Sequence, residues 1–394
     1  MDFGFIFSSG ISNGLIWAIL AIGVYITYRI LDIADLGVEG TFPLGGCVVA
    51  ILISVGVPPI VATIIAMIVG SLFGILTGIL HTKLKIPAIL SGIITMTALY
   101  TINMLVLGGF KDTLPSLSIN NYNKIFTNAL DFVGSHENNL ILLIAIFIAI
   151  ASLIWFTVIT VKFIINVVKK GFKQNLKNNI INVVLMSVLA TVVLVSIILI
   201  ILNITNIVSF ELLNSAILDF VGSSAPFATC FIAGIILSIV FGVCYWFFGT
   251  EIGMSLRATG NNKNMAKAQG INTNAMILLG LAISNGLVAL CGAVFVQDSG
   301  NANVVSGQGT IVIGLATIIL GESIFGRQDF KKSLISVIVG SIIYFILEAA
   351  AIDLNVVNYL KLVRAVLIVC VLVIPLIKKQ INNKKRNVGG LNNA

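Results

Sequence analysis

Apolar stretches of about 20 residues recur along the whole chain, and they constrain its fold more than any other feature. Since about 20 residues of helix cross the roughly 30 Å hydrocarbon core of a bilayer, each stretch is a candidate transmembrane helix. The mean hydropathy of +1.10 and the 10% of charged residues agree with this interpretation. The sequence predicts an all-α polytopic membrane protein with about 11 spans, at 11–31, 41–57, 59–80, 86–107, 140–161, 180–202, 226–248, 275–296, 310–325, 333–350 and 359–377.

The positions of lysine and arginine predict the orientation of these spans. If the loop 249–274 faces the cytoplasm and the spans alternate from there, 19 of the 23 Lys and Arg residues lie on the cytoplasmic side. Because positive residues concentrate in cytoplasmic loops, we expect the N-terminus outside and the C-terminus inside. The same placement explains the net charge of +8 without a nucleic acid partner. The tail at 378–394 is expected to be disordered and cytosolic.

Signals for processing, metal binding and catalysis are weak. The N-terminus has neither a basic n-region nor a small-residue cleavage site, so we expect the first span to be retained. The five cysteines lie in apolar segments and form no CxxC pair, and the two histidines are far apart. We therefore predict no metal site, no cofactor and no catalytic residues in this chain.

A six-residue repeat suggests how the chain is divided. The sequence LDFVGS occurs at 130–135 and again at 218–223. We interpret the segment between the copies as an inserted transmembrane hairpin at 136–217, with a coincidental match as the alternative. The predicted organisation is then an N-terminal transmembrane half at 1–135, the hairpin, and a C-terminal half at 218–377.

Gly70, Gly74 and Gly78 recur at every fourth position of one predicted span. Small residues at this spacing share one helix face and allow a second helix to approach closely. We expect this face to serve internal packing.

The chain keeps the polar stretch GTEIGMSLRATGNNKNMAKAQGI between two apolar spans. Thr250 is a candidate cap for a first short helix ending at Gly260, and Asn261 or Asn262 for a second ending at Gly270. Such helices would lie across the membrane surface, either to dock a partner or as a solvated loop. Their apolar side would comprise Ile252, Leu256, Met265 and Ile271, and their charged side Glu251, Arg257, Lys263 and Lys267.

Four segments resemble the permeases of ABC importers, in the branch that handles branched-chain amino acids, sugars and nucleosides. The pattern G-x-x-x-R-A-x-G-x-N in the polar stretch resembles the cytoplasmic coupling loop of this superfamily. The segments 26–50, 307–326 and 359–376 resemble the permeases that accompany aromatic-amino-acid binding lipoproteins. The coupling residues that the resemblance implies are Glu251, Gly253, Leu256, Arg257, Ala258, Gly260, Asn261, Ala266 (one place off a strict spacing) and Gly270.

The resemblance implies a set of partners. Such a permease pairs with a second copy of itself in the lipid of the bacterial plasma membrane. Each copy docks an ABC ATPase subunit through its coupling loop, and an extracytoplasmic binding lipoprotein delivers the substrate, here an aromatic or other hydrophobic amino acid. The sequence contains no GxxxxGK[ST] motif, so ATP hydrolysis is expected on a separate subunit.

Two glycine-broken stretches, 36–46 and 297–310, are candidates for the substrate pathway. Transporters place irregular backbone where it lines a cavity, although ordinary loops remain the alternative. Glu39 and Asp298 are candidates for contacting the ammonium group of an amino acid. The candidate pathway residues are Leu36, Glu39, Gly40, Thr41, Phe42, Gly45, Gln297, Asp298, Asn301 and Gly307.

Charged residues within or beside spans need partners, since an isolated charge is unfavourable in lipid. We expect structural ion pairs at the start of the last span and at the inner end of an earlier one. For the first of these sites, contact with the binding protein is the alternative. The expected pairs join Lys361 or Arg364 with Glu348 or Asp353, and Glu322 with Arg327 or Lys331.

Three other functions compete with the amino acid importer. An importer of the same type for a sugar or a nucleoside would have the same overall features. An ion-coupled secondary transporter would carry acidic or histidine relays within spans, and few such residues are present. A membrane-embedded enzyme would need a clustered nucleophile, base or metal-ligand set, which the sequence does not show.

Overall fold

The computed structural model describes residues 3–108, 115–126, 224–326 and 330–353, with 364–366, 368–369 and 373. These residues are almost entirely helical, and seven helices among them are long and apolar enough to cross a bilayer. The predicted all-α polytopic class is therefore confirmed. The predicted hairpin at 136–217, the cytosolic tail and most of the last span lie outside the described residues.

Each long described helix overlaps a span that the sequence predicts. The helices are α1 Phe3–Tyr25, continued by a π-helical turn Ile26–Ile30, then α2 Val38–Ser54, α3 Pro59–Thr82, α4 Ala88–Val106, α5 Ser224–Phe247, α6 Glu251–Asn261, α7 Lys263–Ala268, α8 Thr273–Ser299, α9 Thr310–Phe325 and α10 Phe330–Asp353. The remaining elements are strand β1 Ser116–Ser118, strand β2 Asn301–Asn303 and the 3₁₀ turn Val304–Gly307.

The chain divides into two compact units. The larger unit comprises Met1–Lys124 and Ser255–Ala394, and the smaller one Ile125–Met254. The smaller unit contains α5, whose Phe241 and Tyr245 rings stack one turn apart with centroids 6.3 Å apart. All the sites described below, apart from the first turn of α6 and its cap, lie within the larger unit.

Helix α3 packs against α8 through the glycine face that the sequence predicts. A Cβ at Gly74 would collide with the carbonyl oxygen of Leu281, and one at Gly70 would collide with the side chain of Ala289. Since lipid tails are as apolar as leucine, close packing rather than the hydrophobic effect holds membrane helices together. The glycines thus allow two antiparallel backbones to come into contact, which confirms internal packing as their role.

Helix α10 makes similar contacts with both of its antiparallel neighbours. A Cβ at Gly14 of α1 would lie 2.7 Å from the Cα of Ile342, and the Ser341 hydroxyl donates to the Gly14 carbonyl at 2.9 Å. On α9, a Cβ at Gly321 would collide with the Ser336 carbonyl. Helices α1, α9 and α10 therefore form a second backbone-contact group.

The alternating helix directions create two ends of the larger unit. At one end, the coupling end, the π-helical turn after α1 and the start of α10 meet helix α6. At the other end, β1 pairs antiparallel with β2, with Leu117 opposite Ala302. The predicted orientation would place the coupling end in the cytoplasm and the strand pair outside.

The connection between α1 and α2 turns back into the bundle. Asp35 in this connection is only 2% exposed and is hydrogen-bonded to Asn285, 12 residues into α8 and therefore about 18 Å along its axis. Helix α2, at 17 residues, consequently begins inside the protein rather than at its surface. This buried start of α2 positions the candidate site.

Gly74→Ile should destabilise the protein, because the added side chain has no space against the Leu281 carbonyl. Overpacking of this kind lowers the free energy of unfolding by about 1–3 kcal/mol. Leu72→Ile is the matched control, since it places the same β-branched residue at an exposed position of the same helix. Thermal unfolding in detergent should show a lower midpoint for Gly74→Ile alone, and equal midpoints would contradict the packing described.

Candidate functional site

The two stretches predicted to line a pathway meet in the structure. The backbone N–H of Gly309 donates to Glu39 Oε1 at 3.1 Å, which joins the first turn of α2 to the start of α9. A Cβ at Gly307 would collide with the Glu39 carbonyl and with the ring of Pro43. The 3₁₀ turn before α9 therefore lies directly against the buried end of α2.

A cavity of about 210 Å³ lies beside this junction, between α2, α4 and the 3₁₀ turn. Its polar groups come from Glu39, Thr97, Asn103 and Gln308, and most of the remaining wall is apolar. Glu39 is half-buried and Asn103 is fully buried. The residues that line this cavity are Glu39, Gly40, Pro43, Met96, Thr97, Tyr100, Asn103, Val304 and Gln308.

A buried polar network stabilises the re-entrant connection on the coupling-end side of the cavity. Asp35 accepts hydrogen bonds from Asn285 Nδ2 at 2.7 Å and from the Gly37 backbone N–H at 2.9 Å. The Thr41 hydroxyl in turn donates to Asn285 Oδ1 at 2.9 Å. Burial raises the pKa of the Asp35 carboxyl, and the hydrogen bonds from Asn285 and Gly37 oppose that rise. The network thus ties the loop, α2 and α8 together.

The polar stretch forms two short helices, as predicted. The Thr250 hydroxyl accepts the Gly253 N–H at 3.3 Å at the start of α6, and Asn262 Oδ1 accepts the Met265 N–H at 3.0 Å at the start of α7. Gly270 has φ +81° just beyond α7, a left-handed conformation that favours glycine. The predicted caps Thr250, Asn262 and Gly270 are confirmed.

The prediction that Gly260 ends the first helix is wrong. Helix α6 continues through Asn261, and Gly260 lies within it. A Cβ at this position would collide with the carbonyl oxygen of Ile30 at the end of the π-helical turn. Glycine is therefore required for close approach of α6 to the bundle, a tertiary reason that local sequence does not reveal.

Two further side chains hold α6 against the bundle. Leu256 is fully buried, and a Cβ added at Gly280 would lie 3.3 Å from it. The Arg257 guanidinium lies 5.2 Å from the centroid of the Phe330 ring, at the start of α10. Helix α6 therefore contacts the π-helical turn after α1, and the starts of α8 and α10, within the larger unit.

The predicted apolar side of these helices does not form a single face. Leu256 points into the protein, whereas Ile252 is 49% exposed and Met265 is 59% exposed. On α7, Ala266 is buried while Lys263, Met265 and Lys267 are exposed. The exposed side of α7 therefore combines two positive charges with one flexible apolar side chain.

Two ion pairs lie near the ends of the bundle. Arg364 donates to Glu348 Oε1 at 2.6 Å and 2.9 Å, which confirms one of the pairs expected for the last span. Glu322 pairs with Arg29, with a shortest N–O distance of 2.8 Å. Arg29 lies 293 residues away in sequence and was not among the expected partners of Glu322.

The family described as branched-chain amino acid transport system, permease component, matches residues 6–164 and 174–372. The chain belongs to this permease family. It is therefore a permease of an ABC-type transport system and a multi-pass plasma membrane protein, in agreement with the seven long apolar helices.

Two curated proteins are similar to this permease. A tyrosine transport system permease protein of Clostridioides difficile (strain R20291) is 30% identical over 365 residues, which cover 92% of this chain and 89% of that protein. An uncharacterized protein of Rickettsia prowazekii (strain Madrid E) is 32% identical over 100 residues, covering 24% of this chain and 36% of that protein. No solved structure matches the chain significantly.

The predicted pathway residues of this permease have different environments. Glu39 and Gly40 line the cavity, and Gly307 packs beside it. Leu36 is partly buried in the re-entrant connection, Asp298 is partly buried in the last turn of α8, and Asn301 is exposed in β2. The other four are fully or almost fully enclosed by neighbouring helices and do not line the cavity: Thr41, Phe42, Gly45 and Gln297.

The contacts of these four residues explain their burial. Phe42 stacks on Trp17 with centroids 5.2 Å apart, and Gln297 Nε2 donates to the Thr63 hydroxyl at 2.7 Å. A Cβ at Gly45 would collide with the Ala289 carbonyl. Their contribution to a pathway stays a prediction, and their observed contacts are structural.

Asn103, Asp35 and Asn285 belong to the site or to the network beside it, although no sequence pattern described above predicts them. Asn103 and Asn285 each place an amide side chain within a largely apolar span, and a polar residue within a span is a functional candidate by default. The sequence signal for both is an amide side chain within a predicted span, in addition to the glycine-broken stretches. Within the described part of the chain, no cluster of His, Cys, Asp and Glu could hold a metal ion.

Asp35→Ala should loosen the re-entrant connection, since it leaves the Gly37 N–H buried without an acceptor. An unsatisfied buried group lowers the free energy of unfolding by about 1–3 kcal/mol. Asp32→Asn is the control, because Asp32 is an exposed carboxylate in the same connection. Thermal unfolding and limited proteolysis at this connection should distinguish the two variants, and an unchanged Asp35→Ala protein would show that the network is dispensable.

Proposed function

We propose that this permease is the membrane subunit of an ATP-driven importer for an aromatic or other hydrophobic amino acid. The observation that carries the proposal is that α6 packs against Ile30, at the end of the π-helical turn, while α7 beside it is exposed. A simple connector between two spans needs only a few residues, whereas this one forms two capped helices. Similarity to a tyrosine transport system permease supports the substrate class.

In this proposal α6 and α7 dock an ATPase subunit. The exposed side of α7, with Lys263, Met265 and Lys267, would contact the ATPase. Glu251, Arg257 and Asn261 are the exposed members of the predicted coupling set on α6. The buried members of the set hold the helices in place; they are Gly253, Leu256 and Ala266. Ala258 and Gly260 are partly buried, and Gly270 follows the end of α7.

Movement of the coupling helices would reach the cavity through direct contacts. Gly260 abuts Ile30, and the chain continues from there through Asp35 to the buried start of α2. Glu39 follows within the first turn of α2 and is bonded to Gly309. A displacement of α6 would therefore act on both stretches that line the proposed pathway.

The remaining partners complete the proposed importer. A second copy of the chain would form the other half of the pathway, and an extracytoplasmic binding lipoprotein would deliver the substrate. The strand pair β1–β2 lies at the end that the predicted orientation places outside. ATP would be hydrolysed by the docked ATPase subunits, since the sequence has no phosphate-binding GxxxxGK[ST] loop.

The double variant Lys263→Glu with Lys267→Glu should abolish co-purification of an ATPase, because it reverses both exposed charges of α7. Lys83→Glu with Lys85→Glu is the matched control, with the same charge change in an exposed loop at the same end of the bundle. The tagged chain is purified from native membranes, and vanadate-sensitive ATP hydrolysis is measured in the eluate. Loss of activity from the control alone, or from neither variant, would refute docking through α7.

Cells that express the complete system should accumulate labelled tyrosine in an ATP-dependent manner. Unlabelled tryptophan or phenylalanine should compete with this uptake, while ribose and adenosine should not. Dissipation of the ion gradients should leave uptake intact as long as ATP is maintained, which separates an ATP-driven importer from an ion-coupled transporter. Competition by the sugar or the nucleoside, with none by amino acids, would reassign the substrate class.

A further inference from the structure

One of the residues that line the cavity beside α2 carries a buried hydrogen-bond acceptor without a partner among the described residues. Asn103 is fully buried, and its Nδ2 donates to the Gly40 carbonyl at 3.1 Å. A carbonyl oxygen only accepts hydrogen bonds, so the amide atom that faces Gly40 must be the donor Nδ2. The other amide atom, Oδ1, is then left to accept a hydrogen bond from another group. Among the described residues, Asn103 Oδ1 has no hydrogen-bond partner. A buried acceptor without a donor is unfavourable, so the site is incomplete as it stands.

A carboxylate lines the same cavity. Glu39 receives one hydrogen bond, from the Gly309 N–H at the start of α9, where the helix dipole favours negative charge. No Lys or Arg in the described part of the chain pairs with Glu39. A half-buried carboxylate in a membrane protein is stabilised by a cation, and the described residues supply none for Glu39.

Together the two groups select a particular ligand chemistry. A carboxylate and an amide oxygen are both acceptors, so they complement a group that carries several donors and a positive charge. A primary ammonium group has three N–H donors and no acceptor. The walls formed by Pro43, Met96 and Val304 suit an apolar body attached to that group.

We propose that this cavity binds the primary ammonium group of the transported amino acid, with the Glu39 carboxylate and Asn103 Oδ1 as its acceptors. The amino acid side chain lies against the apolar wall, next to Tyr100, which is 41% exposed. The identity of the ligand as an amino acid rests on the proposed function, whereas the selection of an ammonium group rests on the cavity itself.

The test is calorimetric titration of the full-length chain in lipid nanodiscs with two probes. Tyramine has an aromatic body and an ammonium group but no carboxylate. The analogue 3-(4-hydroxyphenyl)propionate has the same aromatic body and a carboxylate but no ammonium group. We expect tyramine to bind at least about tenfold more tightly than the propionate. Equal affinity, preference for the propionate, or no binding of either probe would overturn the proposal.

Two variants test the assigned acceptors. Glu39→Gln removes the charge but keeps an oxygen for the Gly309 N–H, and should weaken tyramine binding by about 10- to 100-fold. Asn103→Leu removes the second acceptor and should weaken it as well. Asp32→Asn, which removes an exposed carboxylate away from the cavity, should bind tyramine as the unaltered chain does. Unaltered affinity in a Glu39→Gln protein with the normal melting temperature would overturn the assignment.

Failure of this inference differs from failure of the proposed function. Amino acid uptake by the complete system, together with loss of tyramine selectivity, refutes the ammonium site alone. Selective tyramine binding without any amino acid uptake refutes the proposed substrate class and leaves the ammonium site supported. If neither variant folds, the comparison of the two probes on the unaltered chain still decides the question.

Discussion

The connection between α1 and α2 turns back among the helices, where water is scarce and each backbone polar group needs a protein partner. Asp35 supplies that partner for Gly37 and is in turn bound by Asn285 of α8. The start of α2 is held inside the bundle by this arrangement, and so is Glu39. The contact between Glu39 and Gly309, and the cavity beside it, depend on α2 beginning at this depth.

The sequence predicts the helices of this permease well because their main determinants are local. A run of about 20 apolar residues has few alternatives to a transmembrane helix. The described spans begin and end within a few residues of those predicted, except that α1 begins at Phe3 and not at residue 11. Thr250 and Asn262 are predictable as caps because a cap bonds backbone groups only two or three residues away. The glycine face of α3 was also evident from its spacing.

The contacts that decide the site are not local, and the sequence predicts them less well. Glycine is typical of helix ends, but Gly260 lies within α6 and allows it to approach the Ile30 carbonyl closely. Only the folded chain shows this contact. The two broken stretches do meet, but the direction of each side chain follows from packing, so Phe42 and Gln297 are enclosed while Glu39 lines the cavity. Average hydropathy also hides an individual amide such as Asn103 within an apolar span.

The glycine contacts have a consequence for how this permease moves. At Gly45, Gly74, Gly260 and Gly321 the obstructing atoms belong to a neighbouring backbone, not to a flexible side chain. Helices that touch through their main chains have no rotamers to exchange, so they resist the small sliding movements by which packed helices usually shear. Among the described helices, contact through main chains therefore favours movement of whole helix groups as rigid blocks over sliding of one helix along another.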